Sequence, residues 1–565
     1  MKATAHRIVW VVLVFVLLVG SGKTCGPFFD GLVFTRERGP DGPMNSFTKG
    51  KIGIPLPSWW RSYLVVVYRY LEDKPLSPDE SKSFADFWGT EQSYGFPSDR
   101  AKRALQKWLK VRQNYSPKLP RASLNPYKEN PWYNSRLNCT FSAFTTAIDT
   151  LHARAQRFGD KSPELRQWIE GQDTVFENCD SENDHPVFPA PLPVQADPLL
   201  RADRDYQTAA AYFYSGNYQR AASDFDTIGR DTSSPWQPIA PYLAVRAILR
   251  QVAAGSDPDH PEQHSSLDAS RMQEATRRLQ AIINDPNRQQ WHHDARKLLN
   301  FIAFRTEPLQ YQHRLAAGIT RGSEGEDFGQ SVKDYSLLLD GFLETEPDFP
   351  GIERYTEKYD QKLEQWRNQQ YNTLAGERAD DITDWIITFQ SDSKAAWVHA
   401  VRKWRASRSL PWLYLALTKL SGTDSASSEA IEAAAKVAPD SPLYAAFNYH
   451  RARLLAERGD LAGARGVLER ILATKKDLSL SAINLILGEQ TKLSPDRGAF
   501  TALLARQPVQ MTYDWHGDDD AANSCYDADC EVTFYGSAKP PKTSRLLPQF
   551  DSATAHWLNT RIPTE

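Results

Sequence analysis

The stretch SSEAIEAAAKVAPDSPLYAAFNYHRARLLAERGDLAGARGVLERILA, residues 427–473, decides the fold class. Three small or apolar positions recur after 34 residues, first as Ala430, Ala434 and Val437 and then as Ala464, Leu468 and Ile471. Offsets of four and three place such positions on one helix face, where a small residue lets a neighbouring helix approach closely. A Gly-Asp pair at 459–460 supplies a turn. The stretch therefore predicts a repeat of antiparallel helix pairs.

A second copy of this pattern lies upstream in YQTAAAYFYSGNYQRAASDFDTIGRD, residues 206–231. Its matching positions are Tyr212, Gly216, Tyr218, Ala221, Phe225 and Ile228. Both stretches resemble tetratricopeptide-repeat (TPR) proteins, and the chain as a whole resembles exported bacterial TPR-like helical proteins of uncharacterised role. The resemblance implies helix pairs that stack into a superhelix. Because the spacing drifts between the copies, we expect an all-α, irregular tetratricopeptide-like α-solenoid with an N-terminal helical, disulfide-containing region.

Five segments follow from the composition along the chain. Residues 1–22 are a predicted signal peptide, 23–187 an N-terminal aromatic-rich helical region, and 188–198 a proline-rich linker. Residues 199–510 are the TPR-like helical repeat region, and 511–565 are a C-terminal segment that contains a disulfide. Strand-like alternation of polar and apolar residues is scarce in all five, which favours the all-α class.

Local signals in the aromatic-rich region predict individual helices. Ser77-Pro78-Asp79-Glu80 has the pattern of a capping box, and Ser162-Pro163 begins another helix. Residues 100–121 contain eight basic residues and no acidic residue, with an apolar side that includes Trp108. We expect this helix to pack its apolar side into the core and to solvate its charges. Contact with an anionic lipid or polymer is the alternative.

The first 22 residues have the pattern of a secretory signal. The positive residues Lys2 and Arg7 precede an apolar run of about 12 residues, too short to cross the roughly 30 Å of a bilayer core. GSGKT at 20–24 matches the end of a phosphate-binding loop, but Leu17 stands where that motif needs glycine. We therefore expect cleavage among the small residues at 20–22 and an exported protein that is periplasmic, cell-surface or secreted.

The five cysteines are an odd number. Export and spacing favour two disulfides, Cys139–Cys179 and Cys525–Cys530. Cys25 is then left over, and three states stay open for it: lipidated, free, or paired with another chain. Membrane association is expected only if Cys25 is lipidated, and Lys23 and Thr24 do not suit a lipidation motif.

The composition favours a folded chain without catalytic motifs. A formal net charge of -3 gives no basic field for nucleic acid, and 41% hydrophobic residues supply ample core. The chain contains no H-E-x-x-H and no G-x-S-x-G sequence. His292 and His293 point about 100° apart on a helix, which disfavours a shared metal. The acidic stretch 514–531 suits calcium but departs from the EF-hand order. We therefore expect no enzyme activity, no cofactor and no metal site.

The repeat architecture points to a binding function. In a TPR pair the first helix lines the inner surface of the superhelix, so its residues not used for packing should face a groove. The candidate ligand-binding residues are Gln207, Tyr214, Asn448, His450 and Arg451. The sequence thus predicts an exported, non-catalytic helical-repeat scaffold that binds a protein or peptide partner.

The alternative function is a cell-surface glycan-binding protein. Such a protein would resemble the SusD-like family, which also carries TPR helices behind a signal sequence. A coplanar pair of solvent-facing tryptophans would favour this alternative, because sugar rings stack on exposed aromatic faces. Four tryptophans near proline or glycine are the candidates: Trp59, Trp60, Trp132 and Trp236.

Overall fold

A computed structural model describes most of the chain. The described residues are 31–41, 43–91, 99–117, 139–180, 185–254, 268–343, 347, 349–350, 352, 356–473, 478–494, 498, 500 and 503–512. The chain divides into two compact units: unit 1 combines Met1–Gln92 with His313–Glu565, and unit 2 is Ser93–Gln312. The signal peptide, Cys25, the Cys525–Cys530 pair and Trp132 lie outside the described residues.

The predicted all-α class is confirmed. Within the described residues, strand structure is confined to β1 (Gly31–Val33) and β2 (Gln510–Thr512), which pair antiparallel in unit 1 with Leu32 opposite Met511. The remaining elements of the described residues are α-helices and short 3-10 helices. Consecutive helices pack against one another in both units, as the helix-pair pattern predicts.

Unit 2 is built from eight helices within the described residues. Their bounds are α4 (Asp99–Tyr115), α5 (Phe141–Phe158), α6 (Pro163–Glu177), α7 (Pro198–Tyr214), α8 (Tyr218–Arg230), α9 (Ala240–Ala254), α10 (Ala269–Asn284) and α11 (His292–Thr306), with a 3-10 turn at Pro286–Trp291.

Side-chain caps set where several of these helices begin. The hydroxyl of Ser162 accepts a hydrogen bond from the backbone N–H of Leu165 at 3.0 Å, and proline follows the cap, as the sequence predicts. Asn217 caps α8 in the same way. Gly216 precedes it at φ +85°, a conformation that glycine adopts without steric cost. The turn between α7 and α8 therefore depends on these two adjacent residues.

The predicted disulfide between Cys139 and Cys179 is confirmed. The two Cα atoms are 5.6 Å apart, within the usual range for a disulfide. Both cysteines are buried in a core formed by α4 to α7. Trp108 of α4 belongs to this core, and Arg112 on the same helix pairs with Asp173. The basic helix thus packs its apolar side inward and pairs at least one of its charges.

The second repeat copy forms an antiparallel helix pair. Ala221, Phe225 and Ile228 of α8 are buried against α7 and α9. The predicted linker 188–198 contains no helix before Pro198, and the ring of Phe188 lies 4.5 Å from that of Tyr212. Both ends of the linker lie inside unit 2. The boundaries between the compact units therefore differ from the segment boundaries predicted from composition.

Unit 1 contains the remaining helices. Those before residue 100 are α1 (Met44–Phe47), α2 (Arg61–Leu71) and α3 (Pro78–Glu91). The later ones are α12 (Pro308–Arg321), whose first residues belong to unit 2, α13 (Phe328–Phe342), α14 (Glu357–Thr373), α15 (Asp381–Gln390), α16 (Lys394–Ser407), α17 (Leu410–Lys419), α18 (Ser427–Ala434), α19 (Tyr444–Glu457), α20 (Leu461–Ala473) and α21 (Leu480–Lys492), with 3-10 turns at Gly325–Asp327 and Glu377–Ala379.

Helix α2 lies in the core of unit 1. Its residues from Ser62 to Arg69 are all buried. Arg69 pairs with Glu80, and both side chains are almost fully buried. Glu80 also accepts a hydrogen bond from the backbone N–H of Ser77, whose hydroxyl accepts one from the N–H of Glu80. The predicted capping box is therefore present, and its glutamate also neutralises a buried arginine.

The repeat stretch at 427–473 forms helices α18 to α20. Its six periodic positions are all buried: Ala430, Ala434, Val437, Ala464, Leu468 and Ile471. Gly459 turns the chain between α19 and α20 at φ +87°. The small residues at the first positions allow the close helix contacts that the pattern predicts.

Candidate functional site

Helix α9 in unit 2 carries one half-buried polar stripe. Tyr242, Arg246 and Arg250 follow at intervals of four residues, so their side chains share one face of the helix. The opposite sides of α9 enter two hydrophobic clusters, one with α7 and α8 and one with α10 and α11. Packing in these two clusters determines which side of α9 is buried. The stripe therefore stays partly exposed at the surface of unit 2.

Aromatic residues of α7 pack against this stripe. The guanidinium carbon of Arg246 lies 5.7 Å from the ring centre of Phe213 and 6.0 Å from that of Tyr242. The guanidinium carbon of Arg250 lies 5.7 Å from the same Phe213 ring. We call this surface the arginine–tyrosine face, and its members are Tyr206, Phe213, Tyr214, Tyr242, Arg246 and Arg250.

The three phenol groups of the face stay protonated. Burial raises the pKa of Tyr206, Tyr214 and Tyr242, and the charge of Arg246 opposes that rise at each of them. The guanidinium therefore lies within electrostatic range of all three hydroxyls. Because a protonated phenol can donate a hydrogen bond, the face combines a cation with several neutral donors.

Arg246 has no ion pair with an Asp or Glu among the described residues. Its guanidinium lies instead beside the rings of Phe213 and Tyr242. Arg278 in the same unit, by contrast, pairs with Asp226 at 2.7 Å. A half-buried guanidinium has lost part of its hydration, so oxygen acceptors of a ligand can restore its hydrogen bonds.

Of the two candidates on α7, one lies on this face. Tyr214 is half-buried, and its ring centre lies 5.4 Å from that of Phe213. Gln207 is buried instead, and its amide nitrogen donates to the backbone oxygen of Trp168 at 3.0 Å. Gln207 therefore joins α7 to α6 in this structure. The roles of both residues in ligand binding stay predictions.

The three candidates on α19 lie in unit 1. Asn448 is buried and donates to the backbone oxygen of Tyr444, while half-buried Arg451 donates to the Asn448 side chain at 3.3 Å. His450 is buried against the ring of Tyr414, with ring centres 5.5 Å apart. Within the described residues, neither nitrogen of its imidazole has a hydrogen-bond partner. Burial lowers the pKa of His450 to about 3.

The tryptophans named for the glycan alternative are covered to different degrees. Trp59 is buried, and Trp60 stacks at 6.1 Å on Tyr63. Trp236 stacks on Tyr206 with ring centres only 3.9 Å apart, and its indole N–H donates to Asp203. One face of Trp236 is therefore already occupied by a ring of the chain itself.

The sequence contains a signal for the arginines of the face. In APYLAVRAILR, residues 240–250, the spacing of four between Tyr242, Arg246 and Arg250 marks a polar stripe on an otherwise apolar helix. The stripe lies beyond the repeat-like stretch, which ends at residue 231, so the repeat pattern does not predict it. Cationic residues at helical spacing on an apolar helix are the signal that indicates it.

A second polar cluster, in unit 1, is held together by hydrogen bonds among its own members. Asp384 accepts hydrogen bonds from Nε2 of His399 at 2.8 Å and from Arg378 at 3.0 Å. Burial raises the pKa of Asp384, but its contacts with His399, Lys403 and Arg378 outweigh burial and lower it. Arg402 donates to Nδ1 of His399 at 2.8 Å. A general base needs one free ring nitrogen, and both nitrogens of His399 are occupied. We therefore assign this cluster to the stability of unit 1.

The described residues contain no group of three or more His, Cys, Asp or Glu side chains arranged to hold a metal ion. No helix among them is both long enough and apolar enough to span a bilayer. Comparison of the chain with protein-family models, with curated proteins and with solved structures found no match.

Proposed function

We propose that this protein is an exported helical-repeat scaffold that binds a peptide segment of a protein partner on the arginine–tyrosine face of unit 2. The observation that carries the proposal is the half-buried Arg246, which has no acidic partner among the described residues. The face belongs to α7 and α9, the first helices of two successive pairs. In a TPR-like array such helices line the binding surface.

The chemistry of the face suits an extended peptide. Arg246 and the phenol groups of Tyr206 and Tyr242 can donate hydrogen bonds to peptide carbonyl oxygens, which lose their water on binding. One face of the Tyr206 ring is covered by Trp236 and one face of the Tyr242 ring by Trp291, so the remaining parts of these rings offer apolar area for the partner's side chains. Tyrosine and arginine are enriched at protein interfaces because they combine these two kinds of contact at modest cost in conformational entropy.

The proposed location outside the cytoplasm has two supports. The N-terminal 22 residues have the pattern of a signal peptide, and the Cys139–Cys179 disulfide is compatible with an oxidising compartment. We propose the periplasm, the cell surface or the medium as the site of action. Nothing in the proposed binding step requires a cofactor or a chemical reaction.

Photo-crosslinking tests the proposal in the compartment where the protein acts. A benzoylphenylalanine probe replaces Tyr242 on the face, and a control probe replaces Arg277, an exposed residue of α10 in the same unit. We expect protein or peptide adducts at position 242 that exceed those at 277 and decrease in an R246Q background. Equal adducts at both positions would refute the proposed surface. Glycan adducts alone would favour the glycan-binding alternative.

A further inference from the structure

Helix α16 of unit 1 has an apolar stripe on its exposed side. Trp397 and Val398 have exposed fractions of 43% and 70%, and Val401 is half-buried. The spacing of these residues places them on one side of the helix, while Ala396 and Ala400 on another side are buried. A side chain that lines a groove is covered at its flanks, so the large exposed fraction of Val398 shows that this residue protrudes from the surface.

Cationic residues lie at both ends of this stripe. Lys394 is one turn before Val398, and Arg405 is one turn after Val401. Both cations are exposed, and residues 394–408 contain no acidic residue. Exposed apolar side chains between cations are typical of a helix that lies on a membrane surface.

Carboxylates compensate these cations only in part. Arg405 and Arg408, the first residue after α16, both contact the carboxylate of Glu429 on α18, at 3.0 and 2.6 Å. The shared carboxylate holds the two guanidiniums close together and balances only one of their charges. Lys394 pairs with Glu364 of α14 at 2.9 Å. The arginine end of the stripe therefore has an excess of positive charge, which a negatively charged occupant would complement.

We propose that this side of α16 docks on an anionic lipid surface. We call it the amphipathic face, and its members are Lys394, Trp397, Val398, Val401, Arg405 and Arg408. Tryptophan favours the interface of a bilayer because its ring is apolar and its N–H can donate a hydrogen bond, and nearby cations are attracted to anionic headgroups.

Two other occupants fit the amphipathic face less well. A protein partner would need a pocket that matches the protruding Val398, whereas a bilayer accepts such a side chain without one. A second copy of the chain would bring the arginine ends of two such faces together, and like charges repel. The face is in unit 1 and needs no acyl group on Cys25, so the inference does not depend on the peptide binding proposed for unit 2.

Cosedimentation with lipid vesicles tests the inference. The protein is the full mature chain with the change C25S, so that no acyl group contributes to binding. Vesicles that contain phosphatidylglycerol are compared with vesicles of phosphatidylcholine alone. We expect binding to the anionic vesicles to be at least tenfold stronger and to weaken as sodium chloride is added, because salt screens the attraction between the cations and the headgroups.

Matched variants show whether the amphipathic face is responsible. W397Q/V398Q removes the exposed apolar side chains and should weaken binding at least tenfold, whereas L461Q, at an exposed leucine of α20, should change it less than twofold. R405Q should weaken binding to anionic vesicles about fivefold, the effect of one cation near the lipid surface, and K436Q less than twofold. All these positions are exposed, so each variant should fold, which circular dichroism checks.

Each outcome decides the inference. Binding to anionic vesicles that W397Q/V398Q and R405Q weaken, and that both controls leave unchanged, supports it. Equal weakening by R405Q and K436Q reflects net charge alone and overturns it. Failure of the chain to bind anionic vesicles overturns it as well. A concentration-dependent dimer that W397Q/V398Q abolishes would assign the face to a second copy, and protein adducts alone at a photoreactive probe in position 398 would assign it to a protein partner.

Discussion

The buried histidine of α19 makes the stability of unit 1 depend on pH. His450 has a pKa of about 3 in the folded protein against 6.5 in an unfolded chain, because burial disfavours its charged form. Between these values the unfolded state binds a proton that the folded state does not, so stability falls as pH decreases below 6.5. Each pH unit in this window costs about 1.4 kcal/mol. At pH 4.5 the loss is therefore about 3 kcal/mol.

Replacing His450 by leucine should remove this dependence. Leucine has a similar volume and no polar atom, and within the described residues neither imidazole nitrogen has a hydrogen-bond partner that the change would break. H450L should therefore be about as stable as the wild type at pH 7.5, or somewhat more stable. At pH 4.5, H450L should be more stable than the wild type by about 3 kcal/mol.

Urea unfolding at pH 7.5 and 4.5 measures the effect. Tryptophan fluorescence reports the transitions, and hydrogen exchange of α19 peptides identifies the one that belongs to unit 1. The control A462Q changes an exposed position of the neighbouring α20 and should keep the pH dependence of the wild type. The reasoning is refuted if H450L and the wild type lose the same stability between the two pH values.

Three further changes, one of them with a matched control, test the packing. In the chain-entropy model, C139S/C179S opens a disulfide with a sequence separation of 40 and should cost about 4 kcal/mol, visible as a lower urea midpoint that reductant no longer shifts. E80Q leaves a buried arginine charge without its partner and should cost about 3 to 5 kcal/mol in thermal unfolding. D86N, at an exposed ion pair on the same helix, should leave the midpoint nearly unchanged. G216A places alanine at φ +85° and should cost about 1 kcal/mol by urea unfolding.

The sequence predicts those parts of the fold that depend on local pattern. Ala430 and Ala464 are buried at close helix contacts because small residues at a fixed spacing allow few other arrangements. The cap at Ser162 and the turn at Gly459 follow from backbone chemistry that a few neighbouring residues determine. The disulfide of unit 2 could be predicted because the expected export and the cysteine spacing left few pairings.

The candidate site could be predicted only in part. Helix α19 buries residues on all sides, including Asn448 and His450, so its hydrophobic pattern does not show which side faces a groove. Arg246 lies beside an aromatic ring, and not beside an acidic side chain of the described residues, because of the residues that α7 places next to α9. The pattern of one helix does not show which residues a neighbouring helix places there. The sequence predicts Tyr214 as a groove residue because it lies on the first helix of the matched pair, at a position that the repeat pattern does not use for packing.

Equilibrium binding of a crosslinked partner peptide tests the central claim most directly. The segment recovered at position 242 would be synthesised with a fluorescent label and titrated with wild-type protein, R246Q and the control R277Q. Loss of the Arg246 donors should weaken binding by about tenfold or more, the effect of one charge-assisted hydrogen bond, while R277Q should bind like the wild type. Equal affinity of R246Q and wild type would contradict the claim that the arginine–tyrosine face is the binding surface.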